Sequence, residues 1–103
     1  MITQEQINQA ITAIVSGYKP EKVILFGSYA YGEPTKDSDI DLLLIKDDDL
    51  PKIKRNRIAR SYLRDFKFPV DVIVKSREEF ETLKDVIGTV VYTANKYGKV
   101  VYG

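Results

Sequence analysis

There is no cysteine and no histidine in these 103 residues, and the two absences remove most of the commoner catalytic chemistries. Without cysteine there can be no disulfide, no thiolate nucleophile and no thiolate metal site. Without histidine the usual general base is missing, as is the usual ligand of zinc or copper, so any metal ion here must be held by oxygen. No apolar run approaches the ~20 residues needed to span a bilayer. The N-terminus, Met1-Ile2-Thr3-Gln4-Glu5, lacks a basic segment leading into an apolar one. A cytoplasmic protein is the default expectation. An excess of charge of one sign is missing too. Sixteen Lys and Arg against 15 Asp and Glu leave a net charge of +1, which argues against a general nucleic-acid-binding surface while leaving room for a local basic patch.

With 44% hydrophobic and 30% charged residues, the remainder is ordinary globular composition. The length suits a single domain, residues 1–103, burying roughly 65% of the surface its unfolded chain would expose. Thr3 and Gln6 form a capping-box pattern, and Ile7, Ala10, Ile11, Ile14 and Val15 then share a helical face, with Gly17 placed to stop the helix. Lys22 to Phe26 reads as a buried strand between Pro20 and Gly27, and Gly32 to Thr35 as a turn. A second strand, Asp39 to Ile45, runs into Asp47-Asp48-Asp49. Pro51 is expected as a first helical residue, with Asp48 or Asp49 as cap. Ile58, Ala59, Tyr62, Leu63 and Phe66 make the apolar stripe of that helix, which Pro69 ends before a third strand, Val70 to Val74. Ser76 and Glu79 repeat the capping box, with Phe80, Leu83 and Ile87 facing inward. After Gly88, Thr89 to Tyr97 reads as another short helix, and Lys99 to Tyr102 as a last strand. This order predicts an α+β fold, a small mixed sheet with helices packed on it.

Gly27-Ser28 is followed, ten residues later, by Asp39-Ile40-Asp41. Alternation along a strand points Asp39 and Asp41 the same way, their Cα atoms about 6.5 to 7 Å apart, with Ile40, Leu42 and Leu44 facing the core. Two like charges beside an apolar sheet repel one another, so they require protonation, a basic partner or bound cations. No lysine or arginine lies between Ser38 and Ile45. Oxygen donors of this kind suit magnesium or manganese, and two such ions about 3.5 to 4 Å apart can steer an in-line displacement at phosphorus. Asp71, alone in the apolar run Val70-Asp71-Val72-Ile73-Val74, would complete a site if its strand lies beside that of Asp41. Glycine at 27 lets the backbone approach a phosphate closely, and the Ser28 hydroxyl can hold its oxygens. Each feature alone has a plain structural explanation: a solvated strand edge, a lysine-paired acid, a turn. Their combination at this spacing points to metal-assisted chemistry on a nucleotide.

The pattern Gly-Ser, ten residues, Asp-x-Asp and a later strand Asp resembles the nucleotidyltransferase superfamily that shares the polymerase-beta-like fold. The short length resembles its minimal nucleotidyltransferases, often encoded beside a HEPN-domain protein in toxin-antitoxin pairs. The similarity runs along nearly the whole chain, including Pro69 to Val74 and Gly98 to Tyr102. By that resemblance Asp39 and Asp41 would be ligands of two magnesium ions, and Asp71 would bind the catalytic ion and help deprotonate the acceptor. Gly27 and Ser28 would bind the phosphates of ATP or another nucleoside triphosphate. The reaction implied is transfer of a nucleoside monophosphate to a hydroxyl, in such pairs a tyrosine of the HEPN toxin, which is thereby silenced. The chain departs from the family at Tyr31, where many relatives carry arginine, and Lys36 or a residue from another chain would then have to supply that contact.

Six cations between Lys52 and Arg64 could meet an acidic partner, triphosphate or RNA, though such a run is more often the solvated side of an amphipathic helix. Among seven tyrosines, Tyr62, Tyr92 and Tyr97 read most simply as core or boundary residues. At this length no room is left for a domain to bind an acceptor, so the acceptor is expected to come from another molecule. Self-association into a homo-oligomer, or a complex with several partner chains, would suit so small a chain. The rival expectation is a non-catalytic antitoxin or adaptor that neutralises its partner by binding alone.

Overall fold

The computed structural model describes residues 1–103. α1 (Gln4–Gly17) begins where the sequence predicts, because Gln6 N–H donates to Thr3 Oγ1 at 3.1 Å and Thr3 N–H donates to Gln6 Oε1 at 2.8 Å. Each bond satisfies an amide that a helix start would otherwise leave without a partner. The chain continues through β1 (Lys22–Phe26), α2 (Ser28–Tyr31), β2 (Ile40–Ile45), α3 (Lys52–Ser61), β3 (Val70–Lys75), α4 (Arg77–Leu83), α5 (Val90–Tyr97) and β4 (Lys99–Tyr102). The strands form one sheet in the order β3-β2-β1-β4. β1 is antiparallel to both β2 and β4, and β2 is parallel to β3, the crossover between them being α3. The expected α+β fold with a mixed sheet is what forms.

Alternation sorts the strand residues onto two covered faces. Val23, Leu25, Ile40, Leu42, Leu44, Val72 and Val74 pack with Ile7, Ala10 and Ile14 of α1 and with Ala59 and Leu63. Ile24, Phe26, Leu43 and Ile45 pack with Phe80 of α4 and with Val91 and Ala94 of α5. β2 is therefore apolar on both sides, as an inner strand covered by helices should be. Asp41 alternates with Leu43 and Ile45, and Asp71 with Ile73. Both acids thus belong to the face of the smaller cluster, at the end where β2 and β3 begin.

Three local expectations are corrected, and a fourth is met by another route. α1 ends at Gly17 as expected, but the glycine is not a left-handed cap: Tyr18 caps the helix in the right-handed region, and Lys19 takes the left-handed conformation, φ 58°, just before Pro20. Gly17 instead makes room for Tyr62, since a Cβ there would stand 2.2 Å from that ring. Pro51 is the cap of α3 and not its first residue. Asp48 serves the preceding turn, accepting from Leu50 N–H at 3.0 Å and from the Tyr18 hydroxyl at 3.1 Å. α3 ends at Ser61, so Leu63 and Phe66 reach the core from turns, and Tyr62 is 43% exposed. Ile87 is 80% exposed because α4 closes at Leu83 and residue 87 lies in the following turn.

Gly98 joins α5 to β4 across the backbone of β1. A Cβ on it would lie 2.4 Å from the Ala94 carbonyl oxygen and 2.8 Å from that of Leu25. Gly98→Ala is expected to destabilise the protein by about 1–3 kcal/mol, read as a lower urea midpoint at unchanged slope.

At the opposite end of the sheet from the acids, Glu79 ties α4 to α3. It completes a second capping box with Ser76 and meets Arg55 at 2.6 Å and Lys52 at 3.0 Å. Burial pushes the Glu79 carboxyl up, but hydrogen bonds from the Ser76 amide, Lys52 and Arg55 outweigh it and hold the group down at about 2. Its contribution is therefore present above the ordinary value of 4.5 and is lost as pH falls toward about 2. Glu79→Gln is expected to lower stability by about 1–2 kcal/mol at neutral pH, with the difference from wild type shrinking across that acid window in denaturant titrations.

Candidate active site

β1 delivers Gly27 to the sheet end, and its neighbour β2 places Asp41 opposite Phe26 in antiparallel register. Gly27 adopts φ 78° and ψ −161°, a conformation essentially confined to glycine. A Cβ on it would come 2.1 Å from Asp41 Oδ2 and 3.1 Å from Asp41 Cγ. The glycine is thus required twice, for backbone conformation and for space against a carboxylate. Ser28 opens the one-turn α2, which closes with Ala30 and Tyr31 amides donating to the Gly27 carbonyl at 3.0 and 3.2 Å.

The parallel register of β2 and β3 aligns Asp41 with Asp71, and Asp39 lies one residue before β2. The condition placed on Asp71 by the sequence, that its strand adjoin that of Asp41, is met. Burial first, and then the charges of Asp71 and Asp39, push the Asp41 carboxyl up to about 6. None of the protein's ion pairs includes any of the three acids. The donor set is oxygen only, negative and without a basic side chain, which suits a hard divalent cation. The three carboxylates do not converge into a ready three-ligand cluster, so a cation held by all three would have to draw them together.

Two contacts of this region escaped sequence reading. The Tyr29 hydroxyl accepts from Ile2 N–H at 3.0 Å, tying α2 to the segment before α1. The Tyr31 ring lies against Tyr97 of α5 with centroids 5.8 Å apart. Their spacing in sequence carries no signal, since both pairs meet only in the folded chain.

Residues 7–96 match the family model described as "Nucleotidyltransferase domain". The chain belongs to this family. Among its relatives, a putative protein adenylyltransferase of Methanocaldococcus jannaschii is 34% identical over 82 residues, covering 78% of this chain and 80% of that protein. The protein adenylyltransferase MntA of Thermococcus cleftensis is 30% identical over 97 residues, 89% of this chain and 97% of that one. The resemblance to minimal nucleotidyltransferases holds, and the chain is a transferase enzyme acting on nucleotides. No helix of this nucleotidyltransferase is long and apolar enough to cross a membrane.

Proposed function

We propose that this nucleotidyltransferase transfers AMP from ATP, with magnesium, to a tyrosine hydroxyl of a partner HEPN-domain protein, and that it acts as that partner's antitoxin. The observation that carries the reading is the alignment of Asp41 with Asp71 beside the side-chain-free surface of Gly27. The names of the two relatives, both protein adenylyltransferases, support a protein as acceptor.

Asp39 and Asp41 are the residues that would hold both cations, and Asp71 would complete the set. Bound magnesium supplies charge neutralisation at the phosphates and acidifies the acceptor hydroxyl. Gly27 lets the chain approach the triphosphate, and Ser28 donates its hydroxyl to the oxygens that leave as pyrophosphate. Asp71 takes the acceptor's proton as the new bond from tyrosine oxygen to the α-phosphorus forms and the bond from that phosphorus to the β-phosphate oxygen breaks. Orientation and electrostatics carry the rate, with no covalent enzyme intermediate. Incubation with magnesium, α-labelled ATP and the partner should place label on a partner tyrosine with matching release of pyrophosphate. Label that persists after every partner tyrosine is changed to phenylalanine would contradict the assigned acceptor.

A further inference from the structure

α2 has only four residues and buries none of them, and its cap, Gly27, offers no side-chain hydrogen bond. A single helical turn does not hold itself together in water, because nucleation fixes several dihedral angles for each hydrogen bond gained. Its position must come from tertiary contacts: Tyr29 and Ala30 pack against the larger core cluster, the Tyr29 hydroxyl accepts from Ile2 N–H, and toward α5 the contact is Tyr31 against Tyr97. The two rings come from residues 66 positions apart, meet at 5.8 Å and are tilted by 50°, within the range of attractive edge-to-face geometry. Both are about half exposed, 48% and 52%, so burial alone does not account for the pairing. The backbone next to Tyr97 is packed closely on β1: a Cβ on Gly98 would stand 2.8 Å from the Leu25 carbonyl oxygen. Tyr31 in turn donates its amide to the Gly27 carbonyl at 3.2 Å. The sheet end therefore reads in order: acids on β3 and β2, the Gly27-Ser28 turn after β1, then the aromatic pair before β4.

We propose that Tyr31 and Tyr97 are a positioning pair: Tyr97 anchors Tyr31, and through it holds Gly27 and Ser28 in the conformation that receives the triphosphate. The inference rests on the reading of that turn as the phosphate site. It assigns the work to the rings and not to the hydroxyls, and it gives Tyr31 a role suited to an aromatic side chain and not to a cation.

The test is calorimetric titration of the full chain with ATP and magnesium, and separately with tripolyphosphate and magnesium. Tyr31→Ala and Tyr97→Ala should each weaken binding of both ligands by about tenfold, since a misplaced turn loses phosphates whatever they carry. Tyr31→Phe and Tyr97→Phe should restore binding to within about twofold, and the double alanine variant should be no worse than either single one, as expected of residues acting as one unit. Phenylalanine variants as weak as the alanine ones would show a direct hydroxyl contact and overturn the proposal. Loss of ATP but not of tripolyphosphate binding would show stacking on the base and overturn it too. A wild type that binds both ligands but ignores all these substitutions sinks the positioning role alone. A wild type that binds neither sinks the reading of the turn along with it.

Discussion

Changing Asp39 and Asp41 together to asparagine should abolish nucleotidyl transfer, by at least about 10²–10³-fold, while leaving the fold at neutral pH no less stable than wild type. The two halves of this expectation have one cause. Burial and the neighbouring charges of Asp71 and Asp39 raise the Asp41 carboxyl from its ordinary 3.8 to about 6, so the folded protein holds a proton there that the unfolded chain releases earlier. For an acid raised in this way, stability falls as pH climbs from 3.8 to about 6, and the whole penalty is present above the higher value. Asparagine removes the charge and with it the penalty. The melting temperature of the double variant should therefore equal or exceed that of wild type at neutral pH, and the advantage should disappear below the ordinary carboxyl range. Added magnesium should raise the melting temperature of wild type by linkage and leave the variant unmoved. A variant that melts well below wild type at neutral pH would show that the acids serve the fold and not a cation.

The second large effect belongs to Gly27→Ala. Its φ of 78° and ψ of −161° cost a residue with a Cβ about 1–3 kcal/mol, and the new methyl group would have to displace Asp41 Oδ2 from 2.1 Å. Relief by moving the carboxylate disturbs a cation ligand, and relief by moving the backbone disturbs the phosphate turn. Loss of stability by about 1–3 kcal/mol should accompany a collapse of ATP binding, measured by denaturant titration and calorimetry on the same sample. Ser28→Ala is the control: its hydroxyl has no partner in the fold, so it should reduce ATP binding with stability within about 0.5 kcal/mol of wild type. If Gly27→Ala binds ATP normally, the close approach of turn and carboxylate is incidental.

Features encoded locally were legible before the structure. Both capping boxes, at Thr3 with Gln6 and Ser76 with Glu79, depend on residues three apart, and the strands follow from short β-rich runs between breakers. The acids were legible as a group because Asp39 and Asp41 share one strand run and Asp71 interrupts another. Register was not legible, and it is register that aligns Asp41 with Asp71 and with Phe26 next to Gly27. The misreadings have the same origin. Gly17 does end α1, but not as a left-handed cap: its reason for being small is a ring 45 positions away at Tyr62. Ile87 continues a helical period on paper, but α4 ends at Leu83 with Lys84 as its cap, and the period no longer applies. Tyr97 read as a core or boundary residue, and its partner Tyr31 as a departure from family pattern, because nothing local joins α2 to α5.

The most direct measurement is transfer of label from α-labelled ATP, in magnesium, to the HEPN-domain partner, run in parallel with wild type and with the Asp39→Asn, Asp41→Asn variant shown to be folded. The account requires label on the partner with wild type, pyrophosphate in equal amount, and background only with the variant. Equal labelling by both proteins, or none by either while both still neutralise the partner, would contradict it.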